Sequence, residues 1–202
     1  YGRKEQEGLW QNAEATALRR LAEAGVRVPH PYNFLDGVLI MEMIDDANGN
    51  AAPRLNDLEL APETAREYYR LLIGQVVRML CVGIVHGDLS EYNVLVDRDG
   101  PVIIDLPQAV DAAGNNSAKE MLERDVKKKK NYFGQFAPEL LTTDYGKEIW
   151  KVYESCDLTP EVALTGKFER PKSTPDVRAV MREIDDTLKE EVARLLRLQE
   201  LE

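Results

Sequence analysis

The chain is poor in the residues that build metal clusters and cross-links. Two cysteines and two histidines in 202 residues argue against a zinc site. Cys81 and Cys156 lie in separate segments with no C-x-x-C spacing, so free thiols in a reducing compartment are expected, not a disulfide framework. No apolar run approaches the ~20 residues that a bilayer-crossing helix needs, and the first residues lack the charged-then-apolar pattern of a secretory signal. A cytoplasmic protein with no membrane partner is the expectation. The first residue is Tyr1 and not Met, which predicts a start inside a longer protein. Positive charge is also scarce. Lys and Arg number 26 against 36 Asp and Glu, and the net charge of −10 argues against non-specific nucleic-acid binding and gives no basis for sequence-specific DNA binding. One run departs from this balance, Lys127-Lys128-Lys129-Lys130. Four consecutive lysines on a helix wrap all its faces, so at least one must turn toward the body or snorkel; a solvated face is the expectation for the run as a whole, and a docking patch for an acidic partner the alternative.

What remains is a globular composition, 44% hydrophobic and 31% charged. The length suits one large domain or two small lobes with a real core. Leu9, Ala13, Ala17, Leu21 and Ala24 fall at helical spacing and predict a helix over residues 4–24, with Gly25 as its stop. Two β-rich runs flank Asp36-Gly37, a strong hairpin signal. Residues 45–53 form a loop. Ala61-Pro62-Glu63 opens a long helix reaching about Val82, with Tyr69, Leu72, Ile73, Val76, Val77 and Leu80 on its apolar side. Further helices are predicted from Ala118 to about Tyr132, from Pro138 to about Tyr153, briefly after Thr159, and from Thr174 to the end. Val177, Met181, Ile184, Leu188, Val192 and Leu195 give that last helix a core-facing stripe. No internal repeat is evident. The predicted organisation is α+β, with a partial small lobe over 1–44, a mostly helical large lobe over 45–172, and a C-terminal helix over 173–202.

The chemistry concentrates in residues 86–105, HGDLSEYNVLVDRDGPVIID. Asp88 and Asn93 lie five residues apart. Val94-Leu95-Val96, the turn Asp97-Arg98-Asp99-Gly100 and Val102-Ile103-Ile104 then read as a hairpin ending at Asp105. The hairpin would bring Asn93 and Asp105 together around one ion. Phosphoryl transfer needs such a set: a carboxylate to orient the attacking hydroxyl, and an amide with a second carboxylate to hold Mg²⁺ against nucleotide phosphates. Asn93 and Asp105 offer only oxygen, which suits Mg²⁺ or Mn²⁺. An EF-hand at Asp97–Gly100 fails, because its ligand spacing and terminal Glu are missing. His86 is expected to pack and hydrogen-bond near the loop, leaving the base role to Asp88. Arg54, Asp57 and Ser90 are candidate substrate or phosphate contacts. The bland alternative for the whole stretch is a hairpin with ordinary turn carboxylates.

H-G-D-x-x-x-x-N followed by I-I-D resembles the catalytic and metal loops of the protein-kinase superfamily. The details resemble the RIO kinases, an atypical serine/threonine group: Trp10-x-x-x-Glu14 with Gly25-Val26-x-Val28-Pro29 as small-lobe helix and strand, Met41-Glu42-Met43-Ile44 as hinge, Leu106-Pro107-Gln108 after the metal aspartate, and Leu122–Val126 through Tyr132-Phe133 as the following helix. The resemblance implies a protein-kinase-like bilobal fold, ATP and Mg²⁺ as cofactors, and protein phosphorylation. Residue by residue, Asp88 would be the catalytic aspartate, and Asn93 and Asp105 the Mg²⁺ ligands. Glu14 would pair with the ATP-contacting lysine, Met41 would back the adenine pocket, and backbone groups of Glu42 and Ile44 would face the adenine edge. In some members the metal-loop aspartate, here Asp105, accepts the phosphoryl group itself, so an ATPase cycle becomes an alternative. The family also implies work on small-ribosomal-subunit precursors, and the absence of a winged helix before the small-lobe helix favours the branch without one. Ala137-Pro138-Glu139 matches a motif of ordinary protein kinases by chance. The glycine-rich loop and strand lysine that a kinase requires are not among the residues before Glu14, and Lys4 lies on the same helix; both elements are expected upstream of Tyr1. Two other classes share features of this chain: aminoglycoside-type small-molecule kinases, through the H-G-D-x-x-x-x-N loop, and non-catalytic assembly factors, through the missing phosphate loop.

Overall fold

The computed structural model describes residues 14–35 and 38–168. Helix α1 covers 14–23 of these, and the expected residues 4–13 of that helix lie outside the described residues. Ala15, Leu18 and Leu21 are buried at three-residue steps, the inward stripe of an amphipathic helix. Gly25 ends it with φ +73°. The Gly25 N–H bonds to the Ala22 carbonyl (3.0 Å) and the Val26 N–H to that of Leu21 (2.9 Å), the paired bonds of a left-handed helix stop. Residues 26–30 form neither helix nor strand. The strand expected after Gly25 is thus absent from this segment. Its backbone bonds instead to separate partners: Ile103 N–H to the Arg27 carbonyl (2.8 Å) and Arg27 N–H to Gln75 Oε1 (2.9 Å).

The predicted hairpin forms from β1 (Pro31–Leu35) and β2 (Val38–Met41), antiparallel with Leu35 opposite Val38. Helix α2 (Pro62–Cys81) starts with Pro62 in its first turn, where a missing N–H costs nothing. Its inward face, Ala65, Tyr69, Leu72, Ile73, Val76, Val77 and Leu80, is the spine of the core. Around it pack β3 (Ile84–Val85), paired with β6 (Val110–Asp111), and the hairpin of β4 (Val94–Asp97) and β5 (Gly100–Ile103). Helices α3 (Ala118–Phe133) and α4 (Tyr145–Glu154) complete the helical layer.

Three predicted elements differ. The single helix expected from Pro138 breaks into a 3-10 segment, Pro138–Thr142, and α4. Thr143 is extended and the Asp144 N–H bonds to the Gly166 carbonyl (2.8 Å), which pulls the chain out of the helix between them. Residues 159–162 form a turn closed by Val162 N–H to the Thr159 carbonyl (3.1 Å), too short to propagate a helix. The helix expected over 173–202 lies outside the described residues.

Candidate phosphoryl-transfer site

The β4–β5 hairpin juxtaposes the two ends of the chemical stretch. Val94 pairs with Ile103, and one step further out the Ile104 N–H bonds to the Asn93 carbonyl (3.0 Å). Asp105 follows directly. Asn93 Nδ2 donates to the backbone carbonyl of Asp88 (2.9 Å). That bond fixes the amide flip and leaves Oδ1 as the end able to ligate a cation. Asp88, Asn93 and Asp105 are therefore tied into one unit by bonds through Asn93 and Ile104.

His86 supplies the second tie. It is 3% exposed, and its Nε2 lies 3.1 Å from the Ile104 carbonyl while the Asp88 N–H points at its Nδ1 (3.3 Å). One donor and one acceptor fit only the neutral ring with the proton on Nε2. Burial holds its pKa below the usual value, which favours that neutral form. His86 is a brace between the two loops, as expected from its neighbourhood.

Asp105 itself is exposed and has φ +65°, a left-handed conformation uncommon for a residue with a Cβ. The strain costs about 1–2 kcal/mol. It is held by the His86–Ile104 bond on one side and by buried Leu106 on the other, whose carbonyl accepts from Ala109 N–H (3.0 Å). Backbone strain of this sort, over-determined by its surroundings, concentrates at functional positions.

The loop that carries Asp88 is gripped from outside by α3. Gly87 has φ +84°, and a Cβ there would lie 2.6 Å from both the Gln108 carbonyl oxygen and Met121 Cε, so only glycine fits. Its N–H bonds to Asp125 Oδ2 (2.9 Å) and its carbonyl accepts from Arg124 Nη2 (2.5 Å). Asp125 is 2% exposed; burial pushes its carboxyl up, opposed by the backbone amides of Leu89 and Gly87. Lys128 Nζ donates to Asp88 Oδ1 at 2.7 Å and holds that carboxyl below the usual carboxylate range.

The lysine run is thus not a solvated face. Lys127 is exposed. Lys128 meets Asp88, Lys129 is fully buried, and Lys130 Nζ bonds to the Thr143 carbonyl (3.1 Å). α3 is packed on two sides, against the loop carrying Asp88 and against α4 with its preceding turn, so of four successive lysines one is exposed, two are half-buried and one is buried. Arg124, Asp125 and Lys128 were missed as loop-holding residues. Their signal in the sequence was the i, i+4 spacing of 124 and 128 on a helix just after the metal loop.

At the hinge, the Glu42 N–H is engaged by the His30 carbonyl (2.8 Å) and the Ile44 carbonyl by the Ala52 N–H (2.9 Å). Among the bonds of the described residues this leaves the Glu42 carbonyl and the Ile44 N–H, one acceptor and one donor. Met41 is 40% exposed and not enclosed at the back of a pocket; no third strand covers the β1–β2 hairpin among the described residues. Glu14 is half-buried at the start of the described part of α1. Of the other candidates, Asp57 accepts from Asn56 Nδ2 (2.8 Å), Arg54 bridges to Leu95, and the Ser90 N–H bonds to the Asp88 carbonyl (2.8 Å). Glu139 of the Ala-Pro-Glu triplet makes a surface ion pair with Arg66. No group of three or more His, Cys, Asp or Glu able to hold a metal is found among the described residues. The two oxygen donors fit a magnesium-type ion whose shell is completed by phosphates and water.

A family model for the RIO domain matches residues 1–146. The chain belongs to the RIO family. The mixed helix-and-strand arrangement is that of its kinase-like domain. The RIO-type serine/threonine-protein kinase Rio1 of Haloferax volcanii is 36% identical over 151 residues, covering 69% of this chain and 49% of its own length. Its namesake in Thermoplasma acidophilum is 39% identical over 125 residues, 62% of this chain and 63% of that one. The serine/threonine-protein kinase RIO1 of Chaetomium thermophilum is 34% identical over 143 residues, 66% of this chain and 27% of that one. The chain thus spans about half the length of the Haloferax relative and about a quarter of the Chaetomium one.

Proposed function

We propose that this RIO-family protein transfers the γ-phosphoryl group of ATP to a serine or threonine of a protein. The observation that carries the proposal is the tying of Asp88, Asn93 and Asp105 into one hydrogen-bonded unit at the mouth of the β4–β5 hairpin. Asp88 orients the attacking hydroxyl and accepts its proton. Asn93, through Oδ1, and Asp105, through its carboxylate, are the residues that would hold Mg²⁺. Bound there, such an ion would neutralise charge on the transferring phosphoryl group. The Glu42 carbonyl and the Ile44 N–H offer adenine an acceptor and a donor without needing a particular side chain, with Met41 beside them. Glu14 is assigned the ion pair with the ATP-contacting lysine.

The strained, exposed Asp105 favours one second outcome. A carboxylate oxygen placed beside the γ-phosphate can attack phosphorus, with ADP leaving, and water then hydrolyses the aspartyl-phosphate. This ATPase cycle on the same residues would suit an assembly factor. The family resemblance implies a small-ribosomal-subunit precursor as partner.

Incubating the intact protein with Mg²⁺ and ATP, then mapping the phosphorylated residues, tests both. Phosphoserine or phosphothreonine marks protein transfer, and a labile acyl phosphate at Asp105 marks the ATPase cycle. Asp88→Asn should lower transfer by about 10²–10⁴-fold with ATP binding nearly intact. Undiminished transfer by that variant would remove Asp88 from the mechanism.

A further inference from the structure

Helix α3 holds the catalytic loop through three side chains that face one way. Two of them hold backbone, Asp125 on the Gly87 N–H and Arg124 on the Gly87 carbonyl. The third reaches the reacting group: Lys128 Nζ lies 2.7 Å from Asp88 Oδ1. Between Asp88 and Asn93 the loop reads Leu89, Ser90, Glu91 and Tyr92, which provides no cation of its own. The guanidinium of Arg124 is engaged by a backbone carbonyl, so Lys128 is the cation directly on the carboxylate.

We propose that Lys128 is a positioning residue for phosphoryl transfer, acting through Asp88. The inference rests on the kinase reading above. A carboxylate that must orient a hydroxyl has to present one oxygen in a fixed direction. An aspartate side chain on a half-exposed loop samples several rotamers. A charge-assisted bond to Oδ1 selects one of them and leaves Oδ2 for the nucleophile. The lysine can do this because its helix is fixed on both sides, with Asp125 and Lys129 buried next to it. The loop and the carboxylate are then held by the same rigid element, the arrangement that positioning of a reacting group requires. The bland alternative is a surface ion pair of little consequence, since the two side chains are 37% and 38% exposed. A second alternative is a clamp that withholds Asp88 until substrate displaces the lysine.

Steady-state phosphate transfer by the intact protein separates these. Lys128→Met should lower kcat by about 10–100-fold, the scale of a misplaced reacting group, while KM for ATP changes less than about 2-fold. Lys128→Arg, which restores the charged donor, should recover most of kcat. In an Asp88→Asn background Lys128→Met should add no further loss, because a residue acting through Asp88 has nothing left to position. Lys128→Gln serves as a second variant, and thermal midpoints establish that each is folded. An unchanged kcat would mean a bystander pair, a raised kcat a clamp, and multiplying losses in the double variant a role independent of Asp88; each overturns the inference while leaving the kinase reading intact. A kcat insensitive to Asp88→Asn overturns the kinase reading itself.

Discussion

Replacing Lys129 by Met should stabilise the protein, and the gain should depend on pH. Lys129 is fully buried and its Nζ has no hydrogen-bond partner among the described residues. The Nζ lies 6.0 Å from the centroid of the Tyr132 ring. Burial is the dominant influence; Glu91, Asp125 and Asp88 favour the charged form and Lys128 opposes it, and the outcome is a pKa pulled down from 10.5 to about 7. The difference between those values, at ~1.4 kcal/mol per pH unit, makes the charged amine in the fold unfavourable by roughly 4–5 kcal/mol. Below pH 7 both folded and unfolded chains carry the proton, so the whole penalty falls on the folded state. Between about 7 and 10.5 the unfolded chain keeps the proton that the folded one has lost, so wild-type stability rises with pH and the penalty fades. Methionine keeps the unbranched stem and removes the charge. Lys129→Met should therefore gain on the order of 3–5 kcal/mol at pH 6, with most of that advantage gone by pH 10. Urea unfolding of both proteins at pH 6, 8 and 10 measures the difference, and other titrations cancel in it. A gain of equal size at all three, or a loss at pH 6, would refute the reasoning.

Two further substitutions test the loop geometry. Gly87→Ala should destabilise the protein by about 2 kcal/mol or more in urea unfolding, and should impair phosphate transfer, because the new methyl meets the Gln108 carbonyl and Met121 at a φ of +84°. Asp105→Gly should be more stable than Asp105→Ala by about 1 kcal/mol, since glycine relieves the left-handed strain and alanine keeps it; equal unfolding midpoints would mean that Asp105 is not strained.

The parts legible in the sequence were those written in local patterns. The 3.6-residue period of α2, the stop at Gly25 and the two apolar, β-branched runs flanking the turn Asp97–Gly100 each specify an element on their own. The order of Asp88, Asn93 and Asp105 is a local pattern, and the hairpin between the last two explains why they come together. What the sequence withheld was long-range. Asp144 at the N-cap of α4 is a local signal for a helix start, but the capture of its N–H by the Gly166 carbonyl is long-range. The lysine run looked like surface, because its polarity is intrinsic whereas the burial of Lys129 and the reach of Lys128 are set by what α3 packs against. His86 was legible as a structural residue, but its tautomer was not, since that depends on the Ile104 carbonyl 18 residues away.

The proposed function requires Asn93 and Asp105 to act as one ion site that nucleotide completes. Calorimetric titration of Mn²⁺ into the intact protein, with and without a non-hydrolysable ATP analogue, measures this. Binding should be weak alone and much tighter with the analogue, and Asp105→Ala should abolish the difference, whereas Asp97→Ala and Asp99→Ala, on the turn between the strands, should leave it nearly unchanged. Tight Mn²⁺ binding that survives Asp105→Ala would contradict the account.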